Sequence, residues 1–114
     1  MKLLPIILIF LGELSLIYIE IIAAKKYALA AEPFVQVGLK ILLWMIVASG
    51  FIVAGYMLGL KAFKNIWIVT VTSITTILIV EPILNYFVIG QLPTRGAAFG
   101  FFFGVLGLLA ALFL

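Results

Sequence analysis

Four apolar runs, at about 3–24, 34–58, 66–89 and 96–114, alternate with short polar breaks. Each is long enough for a helix that crosses a bilayer, which takes roughly 20 residues. The first run ends at Lys25-Lys26. The second opens after Glu32-Pro33, with proline at a helix start, where its missing N–H does no harm. The third follows Lys61 and Lys64, with Asn65 placed as its N-cap. The fourth follows QLPTR. Breaks this short make neighbouring helices antiparallel and put both termini on one side. The pattern therefore predicts an all-α integral membrane fold, with residues 1–114 forming a single domain of four transmembrane helices. An ALA triplet before Ala31 looks like a signal-peptidase site. Two acids inside the first run, its excess length and the Lys25-Lys26 pair argue instead for a retained helix.

Composition agrees. Of 114 residues 68% are hydrophobic, against seven Lys or Arg and four Asp or Glu. Soluble domains run nearer half apolar and a quarter charged. The basic residues stand singly between apolar runs, so the net charge of +3 forms no patch for nucleic acid. With no cysteine there is no disulfide or thiol chemistry, and with no histidine the usual proton shuttle and metal ligand are gone. Proton chemistry falls to carboxylates. No phosphate loop, GxSxG or metal-ligand spacing occurs, so neither an enzyme nor a cofactor is expected. The distribution of lysines matters more. One membrane face receives Lys2, Lys61 and Lys64, the other Lys25, Lys26 and Arg95, with Lys40 just inside the second helix. Orientation follows Lys/Arg bias, and here the bias is nearly absent. A single orientation set by a weak preference or by a partner, and insertion in both directions with head-to-tail pairing, both fit.

Glu13 lies near the middle of the first run. An ionised carboxylate there costs about 2.5–3.5 kcal/mol on insertion scales. It should face a cavity or a partner, and it can trade a proton for a cation. A neutral glutamic acid donating one interhelical hydrogen bond is the plainer alternative. Glu20, seven residues on, projects from the same helix face. Lys40 enters the second helix, and Glu81 nears the end of the third, on the side that Glu20 approaches. These three form either an ion pair in which Lys40 neutralises Glu20 or Glu81, or a polar vestibule leading to Glu13.

The third run is dense in hydroxyls at Thr70, Thr72, Ser73, Thr75 and Thr76. These either bond carbonyls a turn back or line a hydrated path. Candidate pocket residues are Tyr18, Trp44, Trp67, Thr72, Ser73 and Thr76. Pro82 removes a backbone hydrogen bond and should kink the helix, freeing a carbonyl near Leu78. Gly96, Gly100 and Gly104 recur at four-residue spacing in the last run, with Gly107 close by. That stripe permits close helix contact, within one chain or between two, and marks the fourth helix as a dimer candidate. Gly55-xxx-Gly59 is a weaker version of the same signal. Tyr27, Tyr56, Tyr86 and the tryptophans otherwise suit the membrane interface.

From Glu81 to Phe113 the chain reads EPILNYFVIGQLPTRGAAFGFFFGVLGLLAALF. This resembles the end of a repeat in the drug/metabolite transporter superfamily: an acid-Pro pair, a G-[EQ]-x-x-[ST] turn, then a Gly-rich last helix. Four helices with an acid in the first, in the sequence LGEL, resemble the small multidrug resistance branch. That resemblance implies an antiparallel homodimer in the cell inner (plasma) membrane, around one pocket. In it, two first-helix carboxylates bind either protons or a small cationic or amphipathic substrate. Glu13 alone takes the exchange role, and the Gly100, Gly104, Gly107 stripe the dimer contact. The family's Lys about eight residues after its Glu, its S-x-G-F turn and its P-x-G-x-A-Y-x-x-W-x-G run are absent; KNIWIVTVTSIT replaces the last. Three functions are therefore carried forward. The leading one is proton-coupled export of small organic cations. The others are a subunit of a lipid-linked sugar flippase, paired with a related subunit, in which Lys40 and Arg95 meet a phosphate, and a non-transporting membrane assembly subunit.

Overall fold

The chain is described here by a computed structural model covering residues 2–114. Four helices account for it: α1 (Leu3–Ala28), α2 (Phe34–Phe63), α3 (Ile66–Leu84) and α4 (Arg95–Phe113), with no strand among the described residues. α3 runs straight on into a π turn at Asn85–Ile89. All four are long and apolar enough to cross a membrane, which makes this a multi-pass membrane protein.

The helix ends follow from local chemistry. α1 continues past the first polar break because Lys25 and Lys26 suit the negative end of its dipole. It closes when Leu29 N and Ala30 N both donate to Lys25 O, at 2.9 and 3.1 Å. Ala31 turns the chain with φ +57°. That left-handed conformation costs an L-residue about 1–2 kcal/mol. Ala31→Gly is therefore expected to raise stability by up to ~1 kcal/mol, read from unfolding in detergent; an unchanged or lower midpoint would show that the turn holds no such strain. α2 stops at Lys64, also left-handed, whose N–H donates to Leu60 O at 2.8 Å. Asn65 caps α3 by accepting from Trp67 N at 2.9 Å, and Thr94 caps α4 by accepting from Ala97 N at 3.1 Å.

Pro82 sits inside α3 without ending it. Three residues on, Asn85 N faces both Glu81 O and Pro82 O, and the backbone widens into the π turn. The loosening expected at the proline thus emerges on its C-terminal side. The last carbonyls of a helical segment lack an intrahelical donor, and Lys25 Nζ donates to one of them, Val88 O, at 3.0 Å. Gly90, at φ +82°, ends the segment.

α1 is the central helix. It packs along α2 and along α3, whereas α4 touches α3 alone. Glycines decide how closely α1 and α2 approach. A Cβ on Gly12 would stand 2.6 Å from Ile52 Cγ1, and one on Gly55 would stand 2.6 Å from Ile9 Cγ1. Gly59 likewise receives Val69. The Gly55/Gly59 pair, the fainter of the two glycine signals, is thus spent inside the protomer. On the other flank of α1, Ile17 and Ile21 bury against Val80 of α3. The result is a slab, 45 × 35 × 17 Å.

Candidate functional site

Glu13 is the one charged side chain buried among the described residues, 8% exposed, with Ser73 and Thr76 the buried neutral polar groups. It stands beside Gly12, so the close approach of α2 and the packing of α3 both shield it. Ser73 Oγ donates to Glu13 Oε1 at 2.5 Å, joining α1 to α3. Among the described residues no other hydrogen bond reaches the carboxylate. Ser73 differs from its neighbours here. Thr72, Thr75 and Thr76 return their hydroxyls to Ile68 O, Val71 O and Thr72 O at 2.9, 2.6 and 2.9 Å. The dense hydroxyls of α3 therefore split into self-satisfied threonines and a single serine that serves the acid.

The ion pair read from sequence is corrected. Lys40 Nζ pairs with Glu32 Oε1 at 3.1 Å, not with Glu20 or Glu81. Glu32 immediately precedes α2, close to where Lys40 emerges from that helix, so the local partner wins over partners on other helices. Lys40 is exposed and Glu32 partly exposed, at 49% and 29%, and a pair of this kind is worth roughly 0–1 kcal/mol. Glu20 is exposed and Glu81 half-buried, and neither has a cationic partner within bonding distance among the described residues. The other lysine on this side that finds a partner across the fold is Lys25, on the π turn. Sequence reasoning missed both contacts. Glu32 was signalled by being the sole acid in its loop; Val88 O had no signal, since the π turn is a backbone event.

The candidate pocket residues also separate. Trp67, Thr72 and Thr76 line an apolar groove of about 730 Å³ between α1, α3 and the end of α4. Neither Glu13 nor Ser73 lines it, and Tyr18 and Trp44 stand elsewhere on the surface. Of the α4 glycines, Gly104 lies against α3 within the chain: a Cβ there would stand 3.1 Å from Leu78 Cδ2. Gly96, Gly100 and Gly107 face open space, and no residue of α4 is buried. Arg95 opens α4 at the membrane edge beside Phe99 and Phe102. No protein family, curated protein or solved structure matches this chain.

Proposed function

We propose that this protein is a proton-linked exporter of small organic cations in the cell inner membrane, assembled from two copies. The observation that carries the reading is the buried Glu13, placed mid-way along the central helix and held by one neutral donor, Ser73. A structural acid would be expected to meet a cation or several donors, because burying a carboxylate is costly. A carboxylate with one hydroxyl is inexpensive to release: a cation approaching Glu13 replaces one hydrogen bond, and a proton arriving on Glu13 displaces the cation. Substrate can bias which side is open only through its differential affinity for the two states. α2 and α3 already shield Glu13 within one chain, so in this reading a second copy supplies the far wall of a pocket that opens toward the acid during exchange. The near balance of lysines between the two faces suits an antiparallel pair. Reporter tags on the C-terminus are expected to report both sides of the membrane. A signal from one side alone would remove the self-paired antiparallel dimer.

The same hydrogen bond favours a second reading, in which Glu13 and Ser73 form a fixed link in a non-transporting subunit. Currents from purified protein on a solid-supported membrane, challenged with amines and quaternary cations, separate the two. Transport predicts cation-evoked proton current that Glu13→Gln removes. A silent wild-type protein in which only Ser73→Ala or Glu13→Ala has an effect, and that on stability, would support the link.

A further inference from the structure

The groove between α1, α3 and α4 has a chemistry of its own, independent of the transport reading. Its walls include Phe10, Leu11, Trp67, Val71, Thr75 and Leu112. The threonine hydroxyls here are turned back onto their own helix, so they offer methyl groups to the groove. Asn65, at its mouth, has its carbonyl oxygen occupied by Trp67 N. The lining therefore suits hydrocarbon and offers little to a polar ligand.

Length and charge narrow the occupant. On α3 the groove runs from Trp67 to Ile79. Twelve residues at about 1.5 Å each span roughly 18 Å, close to one leaflet, half of a hydrocarbon core about 30 Å thick. The mouth opens at the membrane edge that carries Lys2, Lys61 and Lys64, all exposed. Lys64 adjoins Asn65, which lines the groove, and Lys2 Nζ lies 5.7 Å from the ring centroid of Phe63, two residues before Asn65. All four acids of the chain, Glu13, Glu20, Glu32 and Glu81, lie deeper in the membrane or on the opposite side. An apolar slot one leaflet deep, opening on three cations with no acid partner among the described residues, fits one chemistry. We propose that it holds an acyl chain of an anionic phospholipid, whose phosphate is met by Lys2 and Lys64.

The two tryptophans make this measurable. Trp67 lines the groove, while Trp44 lies on α2 facing outward, 64% exposed. The full chain is reconstituted in phosphatidylcholine vesicles containing phosphatidylglycerol, with one or the other lipid brominated on its acyl chains. In Trp44→Phe, brominated phosphatidylglycerol is expected to quench Trp67 at a mole fraction at least about fivefold lower than brominated phosphatidylcholine does, each lysine near an anionic surface being worth about that factor. In Trp67→Phe, Trp44 should show no such preference. Lys2→Gln with Lys64→Gln should bring the ratio for Trp67 to about one. Val71→Phe, which fills the slot, should weaken quenching by both lipids. Equal quenching by the two lipids, an equal preference at Trp44, or a preference that survives loss of both lysines would each overturn the proposal. Quenching by neither lipid would show that protein covers the groove, and would overturn it as well.

Discussion

Replacing Glu13 with Gln is expected to abolish cation-evoked proton current while leaving the protein folded. Gln retains a carbonyl oxygen that can accept from Ser73 Oγ, so the α1–α3 bond at 2.5 Å has a substitute. What is lost is the charge and the exchangeable proton. The expected fall in current is at least tenfold, or about 1.4 kcal/mol in the step that needs the carboxylate. Unfolding stability should move by less than about 1 kcal/mol, the worth of a neutral hydrogen bond. The control is Ser73→Ala, which leaves the acid but removes its donor. It should change apparent cation affinity and keep proton coupling. Undiminished current in Glu13→Gln would sink the transport reading, and current equally lost in both variants would make the bond, not the proton, the feature that matters.

The second large effect is steric. Gly12→Ala is expected to destabilise the protomer by about 1–3 kcal/mol, the usual cost of overpacking. Its new methyl would meet backbone as well as side chain: Ile52 N at 3.0 Å and Ala48 O at 3.1 Å, besides Ile52 Cγ1. A flexible side chain can turn aside, but two backbone atoms require the α1–α2 pair to part. Gly55→Ala meets Ile9 N at 3.1 Å and should behave alike. Gly96→Ala and Gly100→Ala meet nothing within 4 Å, so the isolated protomer should tolerate them. Unfolding midpoints in detergent compare the four variants. If the α4 variants cost as much as Gly12→Ala, a second chain lies against that stripe; if Gly12→Ala is silent, the close α1–α2 approach is absent.

These contrasts show what the sequence made legible. Four membrane-crossing helices could be read because each run is apolar for long enough that no soluble alternative buries it. The acid at position 13 could be read because one carboxylate in a hydrocarbon layer is conspicuous. The pairing of glycines could not. Gly55/Gly59 and Gly96/Gly100/Gly104 carry the same spacing, and the helix that each stripe meets depends on the packing of whole helices. The partner of Lys40 was misread for a related reason. Spacing along three helices suggested Glu20 or Glu81, whereas Glu32 lies just before the start of Lys40's own helix and needs no tertiary arrangement to be reached. The π turn was illegible because Pro82 announces a missing donor but not which later residues absorb the slack.

The lone attachment of α4 has a consequence for the birth of the chain. Every close interhelical approach through Gly12, Gly55 and Gly59 is complete within residues 5–69. α4, which leaves the ribosome after the other three, is therefore the helix they need least, so synthesis reaches it when their mutual contacts are already available. A nascent chain paused before Arg95 already owns the contacts that shelter its buried acid.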